Sequence, residues 1–451
     1  MIFLYLCAHF QKTRSMKVLK FGGTSVGSAQ RIKEVAQLIR GGQKIVVLSA
    51  MSGTTNALVE ISDYLYKKNT DGANEVINKL RAKYYDHVEQ LYLTDTYKQK
   101  AGALVQSVFS RISSFTKDLF TLFEEKIVLA QGELLSTGMM NLYLNECGIR
   151  SVLLPALDYM RTDKNAEPDT VYIKEKLSKL LAEHTDADLY ITQGYICRNA
   201  YGETDNLQRG GSDYTASLVG AAVKAEEIQI WTDIDGMHNN DPRFVEKTAP
   251  VRNLHFEEAA ELAYFGAKIL HPTCILPAKL NNIPVRLLNT MEPQAPGTLI
   301  SNTTEKGKIK AVAAKDNITV IKIRSGRMLL ATGFLRKVFE IFENHQTPID
   351  MVTTSEVGVS VSIDNRKHLE EIVDDLKKFG TVSTDTDMVI ICVVGDMEWE
   401  NVGFEASIIH ALKEIPVRMI SYGGSNYNVS LLVKAADKTK ALQALSRHLF
   451  S

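Results

Sequence analysis

Small and charged residues follow the first predicted strand of the chain. The strand at 17–21 (KVLKF) contains Lys20 near its end and leads into Gly22-Gly23-Thr24-Ser25. Two adjacent glycines let backbone amides approach and cradle an anion, and the lysine adds a positive charge. The segment matches neither GxxxxGK[ST] nor GxGxxG, so it indicates neither a P-loop nor a dinucleotide fingerprint. It suits an anion site, although a plain structural turn has the same composition.

A second group of reactive side chains lies in LQRGGSDYTA at 207–216. Arg209 offers paired donors to a carboxylate or a phosphate, and the two glycines after it remove steric bulk. Ser212 and Asp213 stand where a helix is predicted to begin, so the backbone amides of its first turn can also contact an anion. The segment therefore predicts a receptor for a carboxylate or a phosphate.

Several aspartates and one arginine follow the predicted strand at 228–232 (IQIWT). Thr232-Asp233-Ile234-Asp235-Gly236 is followed within a few residues by Asp241-Pro242-Arg243. Carboxylates suit a hydrated magnesium ion and an arginine suits phosphate oxygens, so the segment predicts a nucleotide site with its magnesium. An ordinary cluster of Asx turns is the alternative.

Three further candidate residues stand in less specific surroundings. Thr55 belongs to the small hydroxyl residues after the strand at 44–50, which suit either a ligand or the cap of the next helix. Glu133 is predicted to stand just before a helix, where a carboxylate interacts favourably with the helix dipole. Lys268, in FGAKILHP at 265–272, lies near a helix end, where a solvated lysine is the ordinary alternative.

The elements that must position these residues alternate between strand and helix. Apolar residues at helical spacing over 28–40 connect the strands at 17–21 and 44–50, which makes a βαβ unit. Further strands are predicted at 151–154, 188–193, 228–232 and 283–288, with helices at 169–183, 213–224 and 256–266 and consecutive helices over 56–130. This pattern predicts a parallel sheet, and ligands of such sheets bind beyond the carboxyl ends of the strands.

Composition excludes several classes of protein. The 451 residues are 45% hydrophobic and 23% charged, which is the balance of a globular protein with large cores. A net charge of −1 argues against a generally basic nucleic-acid binder, and no apolar run is as long as a membrane span. The five cysteines are scattered without a CxxC pair, which indicates reduced cytosolic thiols rather than a zinc site.

Two segments differ in composition from the rest of the chain. Residues 1–15 open apolar and then turn basic, the reverse of a secretory signal, so we expect Met16 to be the natural start and 1–15 to be an extension. Residues 289–308 are rich in Pro, Gly, Asn and Thr and indicate a domain boundary.

A weak internal repeat follows that boundary. Gly333-Phe334 and Gly403-Phe404 each open an amphipathic helix, and a similar strand recurs at the same spacing. The repeat predicts two copies of a small ferredoxin-like α+β module, at 316–385 and 386–451.

Taken together and in this order, the motifs resemble those of aspartokinases of the amino-acid kinase superfamily. They are KFGGTSV at 20–26, GE at 132–133, RGGSDYTA at 209–216, TDIDG at 232–236, DPR at 241–243 and FGAKILHP at 265–272. The resemblance runs from Met16 to the C-terminus. It implies an α/β fold: a three-layer αβα amino-acid kinase domain with a mostly parallel sheet at 16–300, a helical insertion at about 56–130, and two C-terminal α+β ferredoxin-like ACT domains.

The resemblance implies ATP-dependent phosphorylation of L-aspartate to 4-phospho-L-aspartate, the first step of lysine, threonine and methionine biosynthesis. The residues implied to contact the transferring phosphoryl group are Lys20 and the amides of Gly22 and Gly23, with Lys268 on the nucleotide side. The residues implied to bind aspartate are Arg209 at the α-carboxylate, Glu133 and Asp213 at the ammonium group, and Thr55 and Ser212 through hydrogen bonds. A carboxylate nucleophile needs no general base, so catalysis would consist of positioning and charge stabilisation.

The nucleotide is implied to contact Thr232, Asp233, Asp235 and Arg243. Magnesium would be bound largely through phosphates and water rather than in a dedicated protein cage. Met237 stands where relatives often have an aromatic residue that contacts the nucleotide, so that contact differs in this chain.

The C-terminal modules resemble the lysine-sensitive, monofunctional branch of the family. The motifs are GFLRKVFEIF at 333–342, IDMVTTSEVGVSV at 349–361 and ISYGGSNYNVSLLV at 420–433. They imply feedback inhibition by lysine, bound between modules of two subunits. Asp350 and Glu356 would meet its ammonium groups, with Met328, Gly333, Thr354 and Ser355 around it. A cytoplasmic homodimer or higher oligomer, joined through the ACT domains and without nucleic-acid or membrane partners, is expected.

Two other functions compete with this interpretation. One is a different acyl-phosphate-forming kinase that acts on glutamate or N-acetylglutamate; the long helical insertion, RGGSDYTA and the tandem modules argue against it. The other is a non-catalytic amino-acid sensor, against which the intact set Lys20, Glu133, Arg209, Asp213 and Lys268 argues.

Overall fold

Contacts along the chain divide it into two units. The structure, a computed structural model, describes residues 16–187, 189–207, 210–266, 271–326 and 332–450. The first unit runs to Asp235 and includes Thr273–Pro296, and the second consists of Gly236–Pro272 and the chain from Gly297 onward. The predicted extension at 1–15 and the candidate residues Arg209, Lys268 and Met328 lie outside the described residues.

Strands and helices alternate along the first part of the chain as the sequence predicts. The strands are β1 (Lys17–Phe21), β2 (Lys44–Leu48), β3 (Ser151–Leu154), β4 (Leu189–Gln193), β5 (Ile196–Arg198), β6 (Thr204–Asn206), β7 (Glu227–Thr232), β8 (Asn253–His255), β9 (Val285–Asn289), β10 (Thr298–Ser301), β11 (Ile309–Arg324), β12 (Val352–Ser355), β13 (Gly358–Ile363), β14 (Thr381–Gly395), β15 (Met419–Ser421) and β16 (Asn428–Lys434). The helices are α1 (Ala29–Leu38), α2 (Thr54–Tyr66), α3 (Thr70–Leu91), α4 (Asp95–Ser114), α5 (Leu122–Glu146), α6 (Ala156–Tyr159), α7 (Thr170–Glu183), α8 (Gly211–Val223), α9 (Phe256–Tyr264), α10 (Pro272–Leu280), α11 (Phe334–Asn344), α12 (Leu369–Lys377), α13 (Phe404–Ala411) and α14 (Lys438–Leu449).

The first unit is built on a parallel sheet with the strand order β3-β4-β2-β1-β7-β9. Phe21 at the end of β1 is in register with Leu48 of β2 and Trp231 of β7, so the carboxyl ends of these three strands meet at one edge. Residues of α1 to α5 share a hydrophobic core with one face of this sheet, and α8 packs against β1, β2 and β7 outside that core. Helices therefore cover both faces of the sheet, as the βαβ pattern predicts.

Local signals explain where α1 begins. The Ser28 hydroxyl accepts a hydrogen bond from the backbone N–H of Arg31 at 3.3 Å, which caps the first turn. Ile32, Val35 and Ala36 recur at helical spacing and are buried. The predicted cap and apolar face of this helix are therefore both confirmed.

The prediction that Glu133 stands just before a helix is wrong, because it lies in the middle of α5. The helix begins upstream at Leu122, after a capping box formed by Thr121 and Glu124. The Glu124 carboxylate accepts a hydrogen bond from the backbone N–H of Thr121, and the Thr121 hydroxyl accepts one from the backbone N–H of Phe123. Gly132 also lies inside α5, where a Cβ would come within 2.7 Å of the Ala50 Cβ. The glycine therefore marks a close approach of α5 to the end of β2, and not a helix start.

The second unit contains an antiparallel sheet with the strand order β12-β13-β11-β14-β16-β15. Helices α11 and α12 pack on one part of it, and α13 and α14 pack on the other, each pair with its own core. Gly333 and Gly403 precede α11 and α13 with φ angles of 82° and 96°, a conformation that favours glycine. The repeated Gly-Phe signal thus opens equivalent helices. In the same unit, β8 pairs with β10 in parallel. Among the described helices, none combines the length and apolar character that crossing a bilayer requires.

Candidate active site

The end of β1 and the first turn of α8 bring Lys20 and Asp213 together. The Lys20 Nζ lies 2.7 Å from Asp213 Oδ1, and the two side chains are only 13% and 17% exposed. Limited exposure reduces the solvent screening of this ion pair. The contact places a lysine and a carboxylate, both predicted from separate motifs, at the carboxyl edge of the sheet.

Close backbone packing holds the start of α8 against the strand ends. The Ser49 hydroxyl donates a hydrogen bond to Ser212 Oγ at 2.9 Å. A Cβ on Gly194 would lie 2.3 Å from the same Ser212 oxygen, so only glycine fits after β4. Ser212 therefore connects the ends of β2 and β4 with the helix that contains Asp213.

The two glycines after β1 are fixed by different contacts. The Gly22 N–H donates to the Trp231 carbonyl at 3.4 Å, a long hydrogen bond. A Cβ on Gly23 would lie 2.8 Å from the Ala50 carbonyl oxygen, so this position requires a glycine. The turn is therefore held closely between the ends of β7 and β2.

Glu133 points from α5 toward the loop that follows β2 and is only 4% exposed. Its Oε1 accepts a hydrogen bond from the backbone N–H of Ala50 at 3.1 Å. Its Oε2 is buried and has no hydrogen-bond partner among the described residues. Burial raises the pKa of Glu133 to about 8, and the Ala50 N–H and the charge of Lys20 only partly oppose this rise. A buried carboxyl group with an open acceptor is suited to receive a cationic group of a ligand.

The predicted nucleotide residues fall into both units. Thr232 ends β7, and its hydroxyl donates to Asp233 Oδ1 at 3.1 Å. Asp233 is exposed and Asp235 is half-buried at the end of the first unit. Arg243 belongs to the second unit, where its Nη2 lies 2.6 Å from Asp241 Oδ2 and this hydrogen bond lowers the pKa of Asp241. Within the described ranges, no group of three or more His, Cys, Asp or Glu residues could hold a metal ion.

Two further candidate positions differ in exposure. Thr55 is exposed in the first turn of α2. This helix begins directly after Gly53, whose φ of 80° lets the chain turn from the loop after β2 into the helix. Met237 is buried, with 1% of its surface exposed, and its N–H donates to Thr298 Oγ1 at 2.8 Å.

The predicted effector residues lie in the second unit. Asp350 is nearly fully buried, with its side chain 2% exposed, and pairs with Lys315. Thr354 and Ser355 are exposed at the end of β12, and Glu356 is exposed in the turn that follows. Gly333 is exposed at the start of α11, with open space around a Cβ built there.

Sequence analysis missed two residues that contact Asp350. Lys315 lies 2.6 Å from Asp350 Oδ1, and the Tyr264 hydroxyl donates to the same oxygen at 2.8 Å. Neither residue belongs to a motif that indicates this contact, because each is far from Asp350 along the chain. Only the approach of α9 and β11 in the folded unit brings them together.

Comparison with known proteins identifies the family. The model of the amino acid kinase family matches residues 15–289, and an ACT domain model matches 391–449. The chain is 34% identical to aspartokinase 1, chloroplastic, of Arabidopsis thaliana, over 96% of this chain and 80% of that protein. It is 31% identical to the lysine-sensitive aspartokinase 3 of Escherichia coli, over 96% of this chain and 99% of that protein. The chain belongs to the aspartokinase family.

Solved aspartokinase structures have the same fold. The crystal structure of E. coli aspartokinase III with aspartate and ADP, described as the R-state, matches with a TM-score of 0.83 and 31% identity. The structure of the same enzyme with lysine and aspartate, the T-state, matches with a TM-score of 0.78 and 31% identity. Each match covers 97% of this chain and 100% of the other. The predicted fold class and the predicted enzyme, an ATP-dependent aspartate kinase, are confirmed.

Proposed function

We propose that the strand ends around Lys20, Asp213 and Glu133 bind L-aspartate and the phosphoryl group that it receives. The observation that carries this proposal is the buried Glu133 carboxyl, whose Oε2 has no partner in the described part of the chain, close to the partly buried Lys20–Asp213 pair. Glu133 would accept the ammonium group of aspartate, which supplies the missing donor and favours the charged carboxylate.

Lys20 would hold the transferring phosphoryl group, with the backbone of Gly22 and Gly23 lining it. Because the acceptor is itself a carboxylate, these groups need only align the reactants and offset the negative charge that builds up between them. When aspartate binds, its ammonium can share Asp213, which leaves the Lys20 ammonium available to the phosphoryl oxygens. The roles of Thr55 and Ser212 in hydrogen bonding and of Arg209 at the α-carboxylate follow from the resemblance.

Thr232, Asp233 and Asp235 would contact ATP and its Mg²⁺. The donor set fits a hydrated ion, because Asp233 is exposed and these carboxylates can reach it through water. Magnesium supplies charge neutralisation on the phosphates when bound. The assignment of Lys268 to the nucleotide rests on the resemblance, and that of Arg243 rests on the resemblance and on its place in the segment rich in aspartate after β7.

Lysine is the proposed effector, with Asp350 and Glu356 as its carboxylate partners and Met328, Gly333, Thr354 and Ser355 around it. Support comes from the E. coli relative, which is named lysine-sensitive and was solved in complex with lysine. A homodimer or higher oligomer through the ACT domains is proposed on the same resemblance. A cytoplasmic location agrees with the absence of disulfides among the described cysteines.

Kinetics of two variants test the site. Lys20→Ala is expected chiefly to lower kcat, and Arg209→Ala is expected chiefly to raise KM for aspartate. Lys17→Ala is the control, because Lys17 lies on the same strand at its amino end. A coupled ADP-release assay with aspartate, glutamate and N-acetylglutamate measures all three variants and the acceptor preference. Unchanged kinetics in both site variants would show that the site is wrongly assigned.

A further inference from the structure

The loop between β2 and α2 contacts several parts of the proposed aspartate site. The Ala50 N–H in this loop donates to Glu133 Oε1 at 3.1 Å. The Ser52 N–H donates to the Gly23 carbonyl at 3.1 Å. The helix α2 begins directly after the loop, with Thr55 in its first turn. A displacement of the loop would therefore weaken a contact of the buried carboxyl and move Thr55 at the same time.

Two adjacent residues of α3 hold this loop in place. The Lys83 Nζ donates to the Ser52 carbonyl at 2.9 Å. The Tyr84 hydroxyl shares a hydrogen bond of 2.8 Å with Thr54 Oγ1. Tyr84 is 1% exposed and Thr54 is fully buried. A buried hydroxyl is costly to leave without a partner, so this hydrogen bond fixes the distance between α3 and the first residue of α2.

The Thr54 side chain lies between α3 and α5. Its hydroxyl contacts Tyr84, and its Cγ2 lies 3.3 Å from the position that a Cβ on Gly132 would occupy. Gly132 directly precedes Glu133 in α5. Burial chiefly raises the pKa of Tyr84, the hydrogen bond with Thr54 opposes this, and the charge of Glu133 adds to the rise. The tyrosine therefore keeps its proton, and it lies within electrostatic reach of the Glu133 carboxyl.

We propose that Tyr84 is a positioning residue for the acceptor amino acid, which acts through Thr54 to hold the loop after β2 in place against Glu133. The inference rests on the proposed function of Glu133. Without the hydroxyl, the Tyr84 ring and the Lys83 contact still hold α3 on the loop, so the fold is retained. The Ala50 N–H then lies less accurately against the carboxyl that receives the substrate ammonium. A helix of the region predicted as an insertion thereby contributes to aspartate binding without contact with aspartate.

Removal of the Tyr84 hydroxyl tests this role. Tyr84→Phe keeps the ring and deletes the hydrogen bond with Thr54. We expect KM for aspartate to rise about threefold to tenfold, as the loss of one buried hydrogen bond allows, with kcat and KM for ATP within about twofold. Tyr92→Phe is the matched control: Tyr92 is 2% exposed in the same core, and its hydroxyl donates to the Met139 carbonyl at 2.7 Å, outside the proposed site. This control is expected to lose comparable thermal stability and to keep the wild-type KM for aspartate.

The pH profile provides a measurement that looser packing alone would not change. The Ala50 N–H and the charge of Lys20 both lower the pKa of Glu133 against the larger effect of burial, and the first of these contacts depends on the loop. If the loop shifts in Tyr84→Phe, this hydrogen bond weakens and Glu133 ionises at higher pH. The rise of kcat/KM for aspartate with pH is therefore expected to move to higher pH in Tyr84→Phe and to stay in place in Tyr92→Phe.

Thr54→Val tests the route from Tyr84 to the loop. Valine keeps the shape of the side chain and removes the other hydroxyl of the pair, so KM for aspartate is expected to rise by a similar factor. The double variant is expected to have a KM no higher than that of either single variant, because both changes delete the same hydrogen bond. Multiplied effects in the double variant, or a wild-type KM in Thr54→Val, would refute the route through Thr54.

The outcomes separate this inference from the proposed function. If Glu133→Gln raises KM for aspartate but Tyr84→Phe matches the wild type in KM and in pH profile, the positioning role is refuted and the binding site stands. If Glu133→Gln leaves KM for aspartate unchanged, the proposed function of Glu133 is wrong. Equal rises of both KM values with a fall in kcat, or the same changes in Tyr92→Phe, would show that the whole core has loosened and would overturn the role of Tyr84.

Discussion

The unusual pKa of Glu133 predicts how aspartate binding depends on pH. Glu133 is 4% exposed, and burial raises its pKa to about 8. The ammonium group of aspartate requires the charged form of the Glu133 carboxyl. With this pKa, the carboxyl is ionised in about one molecule in ten at pH 7 and in about half of the molecules at pH 8. The kcat/KM for aspartate is therefore expected to rise about fivefold from pH 7 to pH 8.

The assay is ADP release at saturating ATP, with aspartate varied between pH 6.5 and 8.5. Glu133→Gln keeps the shape of the side chain and removes the titration, so its pH profile is expected to be flat and its kcat/KM lower. Glu258→Gln is the control, because Glu258 is another fully buried glutamate with a raised pKa, outside the proposed site. A flat wild-type profile, or a Glu133→Gln profile that still rises, would refute this reasoning.

Two measurements without turnover check the same charge change. If Glu133 ionises when aspartate binds, the wild type releases about 0.9 proton per aspartate at pH 7, which calorimetry detects as a dependence on the ionisation heat of the buffer. In the absence of aspartate, the protonated form of Glu133 favours the folded state, and this contribution is lost as pH rises from about 4.5 toward 8. Glu133→Gln is therefore expected to melt a few degrees above the wild type at pH 8 and near it at pH 5.

Two further predictions concern packing and the ion pair. Gly132→Ala is expected to destabilise the fold by about 1–3 kcal/mol, because the new Cβ would lie 2.7 Å from the Ala50 Cβ. Gly102→Ala is the control: it also lies in a helix, but the atom nearest to its new Cβ is 3.8 Å away, so this variant is expected to stabilise the fold slightly. Thermal unfolding of both variants measures the difference, and equal effects would contradict the packing argument. Asp213→Asn removes the partner of Lys20 and is expected to lower kcat/KM for aspartate about tenfold or more, with KM for ATP within threefold; steady-state kinetics decide.

Local signals were sufficient to predict the elements that position the site. The Ser28 cap, the apolar periodicity of α1 and the glycines before α11 and α13 act within one or two turns, and the structure has each of them. The bounds predicted for β1 and β3 are also those observed. Such signals depend on neighbouring residues, so the chain itself encodes them.

The charge state of the site was decided by tertiary packing. Glu133 was expected before a helix, but it lies within α5, and its burial there raises its pKa to about 8. The contacts of Tyr264 and Lys315 with Asp350 likewise could not be predicted from the sequence, because the three residues are far apart along the chain.

The sequence by itself thus determined the family, the order of elements and which residue types stand at the strand ends. Only the tertiary structure decided which of those charges are paired, buried or left open. The physical reason is that desolvation and pairing depend on atoms brought together from distant parts of the chain, whereas capping and periodicity depend on residues a few positions apart.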